Sequence, residues 1–139
     1  MNDVKTYDPK KVIAAAGAHV CSGFDEDSQI TIEPNGEGIT KKVGADGEVT
    51  RSMDPDDTYN IKLVFDQMSE TNKYLTNMRK LDKATGAGVF PFLLTDLRGG
   101  VLFHAAQAWI TKDPSRVWGK ASGSVEWEIH TGSAEYEEA

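Results

Sequence analysis

The chain has 139 residues, a formal net charge of −7, a hydrophobic share of 39% and a mean hydropathy of −0.45, which suits one domain with one core. The acidic balance argues against nucleic-acid binding as the main role, and no apolar run approaches the ~20 residues of a membrane helix, so no membrane insertion is expected. The single cysteine, Cys21, has no partner for an internal disulfide.

Residues 1–10 are polar, contain Asp8-Pro9 and read as an N-terminal arm. Residues 11–21 read as a strand of small residues, bracketed by Val12, Ile13 and Val20 with Gly17 inside. The apolar run after Lys10-Lys11 faintly imitates a signal peptide but is short and preceded by Asp3 and Asp8, so the strand is preferred. A turn over 22–28 exposes Asp25-Glu26-Asp27, and a short strand over 29–33 alternates through Ile30 and Ile32. A protruding hairpin occupies 39–57. It runs Ile39-Thr40-Lys41-Lys42-Val43, turns at Gly44-Ala45-Asp46-Gly47, returns through Glu48-Val49-Thr50-Arg51-Ser52 and ends in the acidic loop Asp54-Pro55-Asp56-Asp57. Asp-Gly between two β-prone runs is the hairpin signal, because Gly accepts the positive φ of a tight turn. The strand over 58–66 places Tyr59, Ile61, Leu63 and Phe65 on one face and Asn60, Lys62 and Asp66 on the other, with Val64 the one exception, the period of a half-buried strand.

At Ser69 the period changes to that of a helix, with Ser69 as cap and Glu70 in the first turn. Tyr74, Leu75, Met78 and Leu81 form one apolar stripe expected to pack on the outside of a sheet, and Gly86 and Gly88 end the helix. Residues 90–97 read as a strand beginning at a Pro-containing edge, with Pro91. A long strand over 101–112 has both faces largely covered. The last strand, 122–131, points Val125, Trp127 and Ile129 one way and Glu126, Glu128 and His130 the other. Residues 132–139 read as a flexible acidic tail. The expectation is about seven strands and one helix, predominantly antiparallel, in a single domain spanning 1–139.

Charge is unevenly spread: residues 25–57 carry a net −7, residues 58–83 a net +2 and residues 120–139 a net −4. Such opposed fields suit head-to-tail self-association. Catalytic chemistry is not legible. His19, His104 and His130 lack a ligand partner at metal spacing, and His19 with Cys21 lacks an orienting third group. Asp54, Asp56 and Asp57 lack the glycine and distal glutamate of a calcium loop. No enzyme, cofactor or metal is expected.

Three stretches carry a resemblance: Tyr7-Asp8-Pro9-Lys10-Lys11-Val12 running to Ser22-Gly23-Phe24; the hairpin Lys41-Lys42-Val43-Gly44-Ala45-Asp46-Gly47-Glu48-Val49-Thr50-Arg51-Ser52; and Ser69-Glu70-Thr71-Asn72-Lys73-Tyr74-Leu75 directly after a strand. Together they resemble the tail tube proteins of contractile-tailed, myovirus-like bacteriophages, related in architecture to type VI secretion and bacteriocin tubes. The resemblance implies a mainly β fold, an antiparallel β-sandwich or barrel with one flanking α-helix and a protruding hairpin. It implies a virion structural protein, assembled in the host bacterial cytoplasm as six-membered rings stacked helically into a hollow conduit for genome ejection. Implied partners are further copies of itself, the tail sheath protein, the baseplate and tail terminator proteins, and, transiently in the lumen, the tape measure protein and DNA.

On that reading Lys41, Lys42, Asp46, Arg51, Asp54, Asp56 and Asp57 contact an adjacent ring, and Lys62, Asp66, Glu126 and Glu128 face the lumen. A negative lumen suits DNA that must slide without sticking. The alternatives are a tube subunit of a phage-derived contractile secretion system or bacteriocin, and a monomeric β-sandwich ligand-binding module.

Overall fold

The computed structural model describes residues 4–24 and 30–138. The expected turn Asp25-Glu26-Asp27, Gln29 at the start of the expected strand, and the outer ends of the arm and tail lie outside these residues. Ten strands and one α-helix follow in order: β1 (Val12–Ala16), β2 (His19–Val20), β3 (Ile30–Pro34), β4 (Ile39–Val43), β5 (Val49–Met53), β6 (Tyr59–Asp66), α1 (Glu70–Thr85), β7 (Phe90–Asp96), β8 (Val101–Ile110), β9 (Ser124–Thr131) and β10 (Ala134–Glu138). Eight strands form one antiparallel sheet in the order β2-β1-β7-β8-β9-β6-β3, with β10 also against β8, while β4 and β5 pair only with each other.

The sheet folds around its aromatic residues in the manner of a sandwich or barrel, because strand β8, paired with β7 on one edge, serves two neighbours on the other. Its first half, Val101 to Ala105, pairs with β10, and its end, Ala108 to Ile110, pairs with β9. Phe103 meets Tyr59 at a centroid distance of 5.1 Å, Tyr136 at 5.0 Å and Phe92 at 6.3 Å, joining strands from both halves. Ile61, Leu63 and Phe65 on β6 and Val125, Trp127 and Ile129 on β9 are fully buried, as the period of two requires. Each such large side chain contributes roughly 1.5–3 kcal/mol through removal from water.

Several expectations are corrected. Residues 11–21 are a tight hairpin and not one strand. Gly17 turns the chain at φ +61°, and a Cβ there would come within 2.8 Å of the Tyr74 hydroxyl. Strand β7 lies inside the sheet, between β1 and β8, and not at an edge. Pro91 is tolerated there because the register shifts between Phe90 and Phe92, where the ladder does not call on its missing amide. Strand β8 ends at Ile110, and its buried positions switch phase from Phe103 and Ala105 to Ala108 and Ile110. Three steps along β8 face two along β7 at that point, so an extra residue is accommodated and the inward face changes. The supposed flexible acidic tail contains β10. Ala134 is buried and the Tyr136 ring packs on Phe103, while Glu135 and Glu137 face outward, so the acidic residues had concealed a strand period.

Helix α1 begins where expected. Ser69 caps it, its Oγ accepting the Thr71 amide at 3.2 Å, and Gly86 closes it in the left-handed conformation at φ +74°. Its buried residues are Thr71, Asn72 and Leu75, and Tyr74 and Met78 pack partly against the core. Leu81, expected in the same stripe, is 43% exposed. The helix is anchored from Thr71 to Met78, and its last turn, from Leu81 on, leaves the core behind.

Candidate assembly interface

The hairpin β4–β5 turns on Gly44 to Gly47, where the Gly44 amide donates to the Glu48 carbonyl at 2.8 Å and Gly47 takes φ +88°. The Asp46 Oδ1 atom accepts the Glu48 amide at 3.1 Å, which fixes the turn from within. Every residue of both strands is exposed. The register places Ile39 opposite Met53, Lys41 opposite Arg51 and Val43 opposite Val49 on one face, leaving Thr40, Lys42, Thr50 and Ser52 on the other. One face is therefore apolar with a basic band across its middle, and the other is wholly polar.

At the hairpin's base the acidic loop is tied to its own backbone. The Asp54 carboxylate accepts the amides of Glu37 (2.9 Å) and Asp56 (3.0 Å), and these bonds hold its pKa below the usual carboxylate value. Asp56 accepts the Thr58 amide at 2.9 Å and its hydroxyl at 2.6 Å, while the Asp57 carbonyl accepts the Ala134 amide at 3.1 Å. Asp54 and Asp56 thus already shape the loop on which the hairpin stands.

The four residues assigned to the lumen come together across the β6–β9 pair. Lys62 stands opposite Glu128, Val64 opposite Glu126 and Asp66 opposite Ser124, all on the face turned away from the core. His130 Nε2 lies 3.1 Å from Glu128. Asp66 sits at the end of this row and accepts the Met68 amide and the Ser122 hydroxyl, each at 2.9 Å, which lowers its pKa.

Sequence reasoning missed the junction beneath α1. The Trp127 indole Nε1 donates to Asn72 Oδ1 at 2.9 Å, and Asn72 Nδ2 donates to the Asp66 carbonyl at 2.9 Å and the Gln67 carbonyl at 3.2 Å. The Thr71 hydroxyl accepts the Ser22 amide at 3.0 Å and lies 2.9 Å from His19 Nε2, whose ring stacks on Tyr74 at 4.6 Å. A buried Trp must find an acceptor for its N–H, but a single sequence does not say which residue supplies it. His19 is held by these contacts, and burial pushes the Cys21 thiol up to about 11, the opposite of an activated nucleophile. His104, Glu135 and Glu137 gather on β8 and β10 with their ligand atoms within 4.8 Å, a cross-strand grouping hidden while 132–139 was read as a tail.

Among the described residues the ion pairs of 4 Å or less all involve a histidine, on Glu128, Glu135 or Glu137. No described lysine or arginine lies within 4 Å of a carboxylate of the same chain.

The family described as Bacteriophage PhiTE tail tube protein matches residues 10–137. The chain belongs to this family. The chain is also 30% identical over 132 residues to "Structural protein ORF10" of Pseudomonas phage KPP10, a match covering 89% of this chain and 76% of that protein. Its fold is similar to that of the tube-terminating cap of the anti-feeding prophage, with TM-score 0.67 and 10% identity over 100% of this chain and 95% of that one. It is likewise similar to a chain of the PVC sheath–tube complex, an extracellular contractile injection system in the extended state. There the TM-score is 0.64 and the identity 9%, over 96% of this chain and 93% of that one. The chain is a phage structural protein of the virion tail, in a family of structural proteins and not of enzymes. Among the described residues no helix is long and apolar enough to cross a membrane.

Proposed function

We propose that this tail tube protein forms six-membered rings that stack helically into the hollow tube of a contractile tail, a conduit for the genome at ejection. The observation that carries the reading is the β4–β5 hairpin: ten strand residues, all exposed, in a sheet of their own. An isolated two-stranded hairpin is marginal in water, so a partner surface accounts for its presence. Lys41, Lys42 and Arg51 at its centre, with Asp46 and the loop carboxylates of Asp54, Asp56 and Asp57, form the contact with an adjacent ring.

The outward face of β6 and β9, carrying Lys62, Asp66, Glu126 and Glu128, lines the lumen. Its acidic excess keeps DNA phosphates moving. The opposite side carries α1, whose Lys73 and Lys80 border one groove with Arg116, and this basic flank faces the sheath. The sheath–tube and tube-terminating assemblies among the structural neighbours support a sheath and a terminator as partners, beside the baseplate and, within the lumen, the tape measure protein and DNA. Assembly takes place in the host bacterial cytoplasm.

Electron microscopy of the concentrated subunit tests this. Hollow tubes with six-fold end views are expected. A strict monomer at all concentrations, with and without baseplate protein, would contradict it. The same neighbours favour a second reading, the tube of a phage-derived contractile injection machine, which capsid and portal genes beside this one would exclude.

A further inference from the structure

The uncovered face of the hairpin has a counterpart elsewhere on the molecule. An open cleft of about 600 Å³ lies between strands β3, β7 and β10, lined by Val12, Phe24, Ile30, Ile32, Leu94 and Tyr136, with Asp96 on its wall. Glu138 follows Tyr136 by two residues on the same face of β10, opposite Val101, which also lines the cleft. The cleft is thus apolar with carboxylates beside it.

We propose that the apolar face of the hairpin of one subunit seats in this cleft on a second copy of the chain, with Lys41 and Arg51 meeting Asp96 and Glu138. The proposal rests on the reading of the hairpin as a contact between subunits and names the surface that receives it. Three features carry it. First, Ile39, Val43, Val49 and Met53 are 51–76% exposed and occur as two facing pairs on one side, so four large apolar groups present a continuous patch to water. Second, Lys41 directly opposes Arg51, an arrangement that is unfavourable in a free hairpin and is relieved when an anion sits over the pair. Third, the cleft offers apolar lining of matching character with carboxylates at hand. Asp96 Oδ1 is occupied by the amides of Arg98 (3.1 Å) and Gly99 (3.0 Å), which holds the carboxylate in place for a cation.

Two differently tagged populations of the full chain, both Cys21→Ala, test the pairing, one carrying Val49→Cys and the other Ile32→Cys. Oxidation of the mixture, as tubes or as concentrated subunit, is expected to join the two tags, since a disulfide forms only where the two Cα atoms lie within ~7 Å. Val117→Cys, exposed and outside the cleft, replaces Ile32→Cys as the control and is expected to give no such product. Absence of the Val49–Ile32 product, or an equal yield with the control, overturns the proposal. Arg51→Glu is expected to abolish the cross-link, and Glu138→Arg in the cleft population to restore it. Removal of residues 44–48 separates the two levels. Normal tubes from that variant defeat the reading of the hairpin itself, whereas loss of tubes without a Val49–Ile32 cross-link defeats only the cleft assignment.

Discussion

The β4–β5 hairpin and the junction between α1 and β9 are both built from polar sequence, and the chain uses them in opposite ways. At the junction Thr71, Asn72 and the Trp127 indole are buried, and each hydrogen-bonding atom named there has an intrachain partner. In the hairpin the side chains of Lys41, Lys42 and Arg51 stand in water beside four exposed apolar residues. Buried polar groups must be satisfied where they lie, so the junction belongs to the folding of one subunit. Exposed charges cost little to leave unpaired in water, so the hairpin is free to find its partner on another molecule. Under the proposed function, the difference separates what holds the subunit together from what joins subunits.

Substitutions break or sharpen this division. The largest effect on folding is expected at Leu75, fully buried beneath α1. Leu75→Ala should cost on the order of 2–5 kcal/mol in denaturant unfolding, while Leu81→Ala, at the exposed end of the same helix, should stay within about 0.5 kcal/mol. Equal losses at the two positions would mean that the helix packs along its whole length. Next is Asn72→Ala, which strands the Trp127 N–H without an acceptor and should cost about 1–3 kcal/mol, with a shift in tryptophan fluorescence as the indole surroundings change. A neutral result would show that the junction is not what secures the helix.

Lys41→Ser with Arg51→Ser should change folding stability by no more than about 0.5 kcal/mol, since both side chains are exposed, yet sharply reduce tube growth. Normal tube growth from this pair would dissolve the contrast between the two regions. The smallest effect concerns acid. Hydrogen bonds from Met68 and Ser122 hold the Asp66 pKa below its ordinary 3.8, so its contribution is present above that value and lost as pH falls through the depressed one. Asp66→Asn should therefore flatten the acid side of the stability profile slightly, read by thermal unfolding between neutral pH and pH values below 3.8. An unchanged acid limb would place Asp66 outside the folding unit.

The legible parts of the fold were those with a clean period. The alternation of β6 and β9, the hairpin turn at Asp46-Gly47 and the ends of α1 at Ser69 and Gly86 each follow from local chemistry. The strands that were missed break their period or disguise it. A glycine inside 11–21 was a turn, a bulge in β8 exchanged its faces, and glutamates masked the alternation of β10. The exposure of the hairpin was legible, because basic side chains on a polar hairpin have little to do within a core. Its amphipathic face was not, since that depends on which residues stand opposite one another. The Asn72–Trp127 bond was beyond reach for a further reason. It joins positions 55 apart in sequence, and nothing local to either residue points to the other.

Deletion of residues 44–48 tests the central claim most directly, with circular dichroism and electron microscopy on the same preparation. The account predicts an unchanged dichroism spectrum and thermal transition with tube growth lost. Normal tubes from the shortened chain would contradict it, and so would an unfolded protein, which would put the hairpin among the elements that hold the subunit together.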